Sequence, residues 1–158
     1  MADNYRLAAL LKLRVRAREE AEQALAKAQS EQTKAQRAVD AAARFLEDCR
    51  ARLDEAKAQL YAGDGLTIGI IQTREAFTHR LSDERDEADE AHQRCEDSLK
   101  AAQEEVRRAN AGLIEAKQEE EALLKHKEKW LKEQQVIQRR REEDAADDVA
   151  QTMWRQKK

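Results

Sequence analysis

No proline occurs in this chain of 158 residues, and three of its four glycines, Gly63, Gly65 and Gly69, fall within seven positions. Average usage would supply about eight prolines over such a length. Proline removes a backbone donor and glycine is a poor helix former. Two long stretches therefore lack any strong helix breaker, and one short break separates them. The chain reads as two long helices with one turn. This constrains function too, because two helices enclose almost no interior in which to build an active site.

Charged residues make up 40% of the chain and aromatics only 4%, with alanine the commonest type. Such a composition with helical periodicity marks a long helix or coiled coil. High charge and low hydrophobicity also mark disordered chains. Here 30 basic and 33 acidic residues nearly cancel, to a net charge of −3, and the apolar residues are regularly spaced, so order is expected. The length fits one domain. The two cysteines form neither a disulfide framework nor a zinc motif. No apolar run is long enough to span a bilayer, and the N-terminus lacks the pattern of a signal peptide. A cytosolic protein with free thiols is the expectation.

A coiled-coil seam alternates steps of three and four residues. In the first segment Leu10, Leu13, Ala17, Ala21, Ala24, Ala28, Ala35, Ala38, Ala42, Phe45, Cys49, Leu53, Ala56 and Leu60 follow such steps, interrupted at Glu31. Two four-residue steps in succession, from Leu13 to Ala21 and from Phe45 to Leu53, read as stutters that relax the supercoil. In the second segment Ala88, His92, Cys95, Leu99, Ala102, Val106, Ala109, Leu113, Ala116, Glu120, Leu123, Lys127, Trp130, Gln134 and Ile137 hold phase throughout. Its polar members cluster toward the C-terminal end, where the seam is expected to lose its partner.

Between the segments, Gly63 suits the left-handed position that ends a helix, Asp64-Gly65 is a turn dipeptide, and Thr67 is the N-cap candidate. A break this short favours an antiparallel αα-hairpin. The alternative is a dimer of extended chains kinked at the glycines. The expected fold is all-α: a single antiparallel two-helix coiled-coil hairpin over 1–158, with helix one about 3–61, the turn about 62–67 and a longer helix two about 68–156. At 1.5 Å per residue the arms would be ~88 and ~133 Å long. Pairing Tyr61 with Ile68 sets Asp3 near His126, Cys49 near His79 and Cys95 near Lys34. Residues 127–158 would then project beyond the N-terminus with both tryptophans, Trp130 and Trp154. That overhang is either a docking element, since tryptophan is enriched at binding hot spots, or a frayed tail.

Charge is blocked along the chain. Residues 1–18 and 125–141 are strongly basic and meet at the open end of the hairpin, whereas 82–98, near the turn, are strongly acidic. Two chemically different ends suggest oriented contact with charged partners. Catalytic and cofactor chemistry is not legible. The glycine cluster lacks the Gly-Lys-Ser/Thr of a phosphate loop. Asp83, Asp86 and Asp89 lack the glycine of a calcium loop. His92 with Cys95, or Cys49 with His79, would supply only half a zinc shell. Arg139-Arg140-Arg141 is followed at once by acidic residues and has no interleaved stacking aromatics, which argues against nucleic acid. No enzyme, cofactor, metal or nucleic-acid function is expected.

Three stretches carry a family resemblance: Leu10-Leu-Lys-Leu-Arg-Val-Arg-Ala-Arg-Glu-Glu-Ala, Gly65-Leu-Thr-Ile-Gly-Ile-Ile with Arg74-Glu-Ala-Phe, and Arg139-Arg-Arg-Glu-Glu-Asp-Ala-Ala-Asp-Asp. With the length and hairpin pattern, they resemble the central stalk proteins of type III secretion, the YscO family of virulence injectisomes and its flagellar counterpart FliJ. The resemblance implies a coiled coil similar to that of the F-type ATPase γ subunit. It also implies a cytosolic place in the apparatus, peripheral to the membrane through partners only. The end bearing both termini would enter the hexameric export ATPase, with Leu10, Arg14, Arg18, Trp130, Ile137, Arg140 and Trp154 as candidate contacts. The turn-proximal half would meet the cytosolic domain of the export gate through Phe45, Cys49, Phe77 and Leu81, with Cys49 standing where an aromatic is more typical. Secretion chaperones are a further implied partner. Leu66, Ile68, Ile70 and Ile71 either close the hairpin or extend that surface. The competing reading is a generic coiled-coil scaffold or dimerisation stalk unrelated to secretion.

Overall fold

The computed structural model describes residues 5–157. Two helices account for nearly all of them, α1 (Ala8–Gln59, 52 residues) and α2 (Ile68–Gln156, 89 residues). They pack against each other as an antiparallel hairpin with the second arm longer. Tyr5 to Leu7 form a turn, so α1 begins later than the sequence pattern suggests. Ala8 N–H bonds the Tyr5 carbonyl at 3.0 Å, a tight turn ahead of the regular helix. Asp3, expected near His126, lies outside the described residues; among those described, the Tyr5 hydroxyl reaches His126.

The turn between the helices is built from few parts. Thr67 Oγ1 accepts the Ile70 N–H at 3.3 Å and caps α2, satisfying one of the donors that every helix N-terminus leaves open. Gly63 and Gly65 have φ of 101° and 75°, the left-handed region that disfavours other residues. At the end of α1 the orphan carbonyls are met from the other helix. One Arg74 guanidinium nitrogen donates to the carbonyls of Gln59 at 2.7 Å and Ala62 at 2.8 Å, with Leu60 at 3.4 Å.

The chain divides into two compact units. One comprises Gln23–Asn110, the turn unit; the other comprises Met1–Glu22 with Ala111–Lys158, the terminal unit. In the turn unit Leu46, Cys49 and Ala88 form a buried cluster, with Leu53 and Leu81 also buried. Arg50 pairs with Asp89 at 3.4 Å and Arg52 with Glu84 at 3.5 Å across the helices. Cys49 therefore faces Ala88 and not His79, which lies more than two turns away on α2. The offset arises because the chain needs the segment from Leu60 to Thr67 to reverse, and Arg74, not Ile68, lies level with the end of α1. Repeating the Cys49–Ala88 pairing by one heptad brings Cys95 beside Ala42 rather than Lys34.

The buried stripe of α1 also differs from the expected one. Leu7, Leu11, Arg14, Arg18, Ala21, Leu25, Ala28, Gln32, Ala35, Val39, Ala42, Leu46, Cys49, Leu53, Ala56 and Leu60 are all buried or half-buried. Their steps of four and three alternate without interruption, so there are no stutters. Leu10, Leu13, Ala24, Ala38 and Phe45 are exposed, each a member of the expected series. Near all of them a buried Leu or Val stands one or two positions away, and a strict heptad admits only one of the neighbours. On α2 the expected series from Ala88 to Gln134 is buried or half-buried throughout, and only Ile137 is exposed. Small residues recur every seven positions on both helices: Ala21, Ala28, Ala35, Ala42, Cys49 and Ala56 on α1; Ala88, Cys95, Ala102, Ala109 and Ala116 on α2. Such columns let backbones approach closely, while the larger neighbouring column supplies the apolar burial.

Candidate functional site

In the terminal unit the polar seam positions are engaged. Arg14 pairs with Glu119. Arg18 Nε donates to Glu120 at 2.6 Å and its guanidinium also reaches Glu22 at 2.9 Å. Hydrogen bonds to Glu22 and then to Glu120 raise the Arg18 pKa above its ordinary value. Glu120 thus faces a partner, where the sequence pattern suggested that the seam had run out. The Tyr5 hydroxyl lies 2.8 Å from His126 Nδ1 and its ring centroid 5.4 Å from that of Trp130. Trp130 is consequently half-buried and belongs to the paired region. The exposed extension begins just after it.

Of the seven residues expected on the ATPase side, three have intramolecular roles in this arrangement: Arg14, Arg18 and Trp130. Leu10, Ile137, Arg140 and Trp154 are exposed, and Trp154 has further contact within the chain. Leu131, Val136, Val149 and Met153 are also exposed along the extension. Beside it, Ala8, Leu11 and Val15 line an open groove of about 440 Å³ edged by Lys12, Arg16, Glu19 and Lys127. The sequence pattern did not single out Tyr5, Glu119 or the Leu11–Val15 groove. A Tyr just ahead of a helix and a Glu adjoining the seam position Glu120 were the available signals.

In the turn unit the four residues expected on the gate side separate into two pairs. Cys49 and Leu81 are 1% and 5% exposed, inside the helix–helix interface and unreachable without opening it. Phe45 and Phe77 are 56% and 47% exposed. The Cys49–Ala88 pairing sets Phe77 level with about residue 60, so the two rings stand roughly 22 Å apart along the helices. The Phe77 ring carries the Arg80 guanidinium 5.6 Å from its centroid, a cation–π contact. It borders an open groove with Arg52, Glu55, Arg80 and Glu84. At the turn Leu66 and Ile71 are half-buried, whereas Ile68 and Ile70 are exposed. The first pair closes the hairpin end and the second extends its surface. His92 Nε2 lies 3.8 Å from Glu96, and among the described residues no three potential metal ligands converge. No helix among them is long and apolar enough to cross a membrane.

Two helices joined at an ordered turn, with open grooves and surfaces of contrasting charge, define a helical interaction protein. The YscO-like protein family model matches residues 2–158. The chain belongs to this family, and so to the stalk-type coiled-coil proteins of type III secretion. CT670 from Chlamydia trachomatis, a proposed YscO homolog of known structure, superposes with a TM-score of 0.81 at 22% identity, covering 96% of this chain and 94% of its own. At that identity the likeness concerns the fold. No curated protein matches the chain.

Proposed function

We propose that this chain is a non-enzymatic stalk that couples the export ATPase hexamer of a type III secretion apparatus to its export gate. The observation that carries the reading is the contrast between two exposed surfaces on a fold of the YscO-like family. The terminal unit presents an apolar-studded helix extension, basic at Arg139–Arg141 and acidic over 142–148, with Leu131, Ile137, Arg140 and Trp154 exposed. The turn unit presents Phe77 among charged residues and the exposed Ile68 and Ile70. Exposed apolar side chains beside successive basic and acidic blocks suit insertion among charged ATPase subunits. An exposed aromatic with a charged border suits a hot spot on a folded gate domain. Function on the cytosolic face, with chaperones as additional partners, follows from the same reading.

Binding of the purified full-length chain to the export ATPase and to the gate's cytosolic domain tests this directly. Ile137→Glu with Trp154→Ala should weaken ATPase capture and spare gate binding; Phe77→Ala should do the reverse. Absence of binding by the intact chain to either partner would end the proposal.

A further inference from the structure

The groove formed by Ala8, Leu11 and Val15, whose edge carries Lys12, Arg16 and Lys127 against the single carboxylate of Glu19, is matched in charge by another part of the same chain. Residues 142–148 contain Glu142, Glu143, Asp144, Asp147 and Asp148, followed by Val149 and Met153, both exposed. Among the described residues none of these five carboxylates forms an ion pair, and neither do Lys12, Arg16 or Lys127. Some other charges on α2 are paired locally, as in Arg107–Glu104 at 2.6 Å and Lys125–Glu121 at 2.7 Å, whereas Arg139, Arg140 and Arg141 beside the acidic segment form no ion pair among the described residues. Two complementary sets thus remain without ionic partners. They cannot meet within one molecule, because α2 continues unbroken from Ile68 to Gln156 and carries the acidic segment away from α1.

We propose that the acidic segment of one chain docks in the Ala8–Leu11–Val15 groove of a second copy, and reciprocally, forming a two-fold dimer through the terminal units. Val149 and Met153 enter the groove while the carboxylates face Lys12, Arg16 and Lys127. Reciprocal contact closes the assembly at two chains, since each groove is filled by the other's segment. The two α2 helices then cross antiparallel just beyond Trp130. There the run Gln134-Gln-Val-Ile-Gln is uncharged, so no like charges face each other at the axis. This contact is independent of the secretion reading, although it covers a surface which that reading assigns to the ATPase.

Light scattering on the full-length chain, over a wide concentration range and from about 0.05 M to about 1 M salt, gives the test. A dimer is expected at low salt that dissociates as the Debye length falls toward ~3 Å. Lys12→Glu/Arg16→Glu/Lys127→Glu and, separately, Asp144→Lys/Asp147→Lys/Asp148→Lys should each weaken self-association at least about tenfold with unchanged helical circular dichroism. An equimolar mixture of the two variants should restore a dimer. A monomeric wild type at every concentration would overturn the proposal. So would a dimer indifferent to either variant, a mixture that fails to associate, or growth into larger oligomers.

Discussion

Arg74 shows how much one side chain decides at a helix end. The last carbonyls of an α-helix have no partner within it, and here one guanidinium from the opposite arm takes on that task for Gln59, Leu60 and Ala62. Arg74→Ala should destabilise the hairpin by about 1.5–3 kcal/mol, the range for hydrogen bonds that involve a charged group. Hydrogen exchange should show the loss concentrated over residues 60–71, and Arg74→Lys should recover only part of it, lacking the planar fork. Arg18 and Glu120 make a comparable link in the terminal unit, with side chains 25% and 16% exposed. A double-mutant cycle with Arg18→Ala and Glu120→Ala should give a favourable coupling that shrinks in high salt. No coupling, or one unaffected by salt, would contradict the pairing.

Within an element, the phase of the buried stripe sets which apolar residue matters. Leu46 is buried and its neighbour Phe45 exposed, although the larger ring is the more hydrophobic choice on sequence grounds. Leu46→Ala should therefore cost about 2–5 kcal/mol, whereas Phe45→Ala should stay within about 0.5 kcal/mol; urea unfolding of both variants measures the contrast. The outer face of α2 adds a pH-dependent contribution. A hydrogen bond from Lys125 lowers the Glu121 pKa below its ordinary value, and the same bond raises that of Lys125. A depressed folded carboxylate stabilises above its unfolded pKa and loses that contribution as pH falls through the folded value. The raised Lys125 contribution is complete below its unfolded pKa and fades as pH rises through the folded one. The pair should accordingly support helicity across the neutral range and fail toward both acid and strong alkali. Because the Lys125 shift itself comes chiefly from Glu121, Glu121→Gln should remove both limbs, and thermal melts across pH should show the smaller pH dependence in the variant.

At the scale of the whole molecule, the hairpin separates tasks between two units. The terminal unit uses Tyr5, Arg14 and Arg18 to hold α1 on α2, and most of the extension beyond Trp130 is exposed. The turn unit buries Cys49 and Leu81 and leaves Phe77 outside. Removing residues 135–158 should thus abolish ATPase binding while leaving the cooperative unfolding of the turn unit unchanged. Chemical denaturation of the truncated chain alongside a binding assay checks both halves of that expectation.

Local chemistry was enough to specify two helices, the turn and the capping Thr67. Proline, glycine and threonine act over a few residues, and no distant contact was needed to override them. The phase of α2 was legible as well, because its heptad offers few apolar alternatives. On α1 adjacent apolar pairs such as Ala24-Leu25, Ala38-Val39 and Phe45-Leu46 satisfied a loose periodicity equally, and only packing against α2 selected Leu25, Val39 and Leu46. Likewise, no rule of local spacing could set the register between the arms. That depended on how many residues the reversal consumes and on Arg74 reaching across it. The order of residues by itself determined that this protein is a helical hairpin with contrasting charge along its length. Which of its apolar and charged residues remain outside for partners was decided by the tertiary structure, because burial is a property of the pairing between helices and each sequence position acquires it only once that pairing is made.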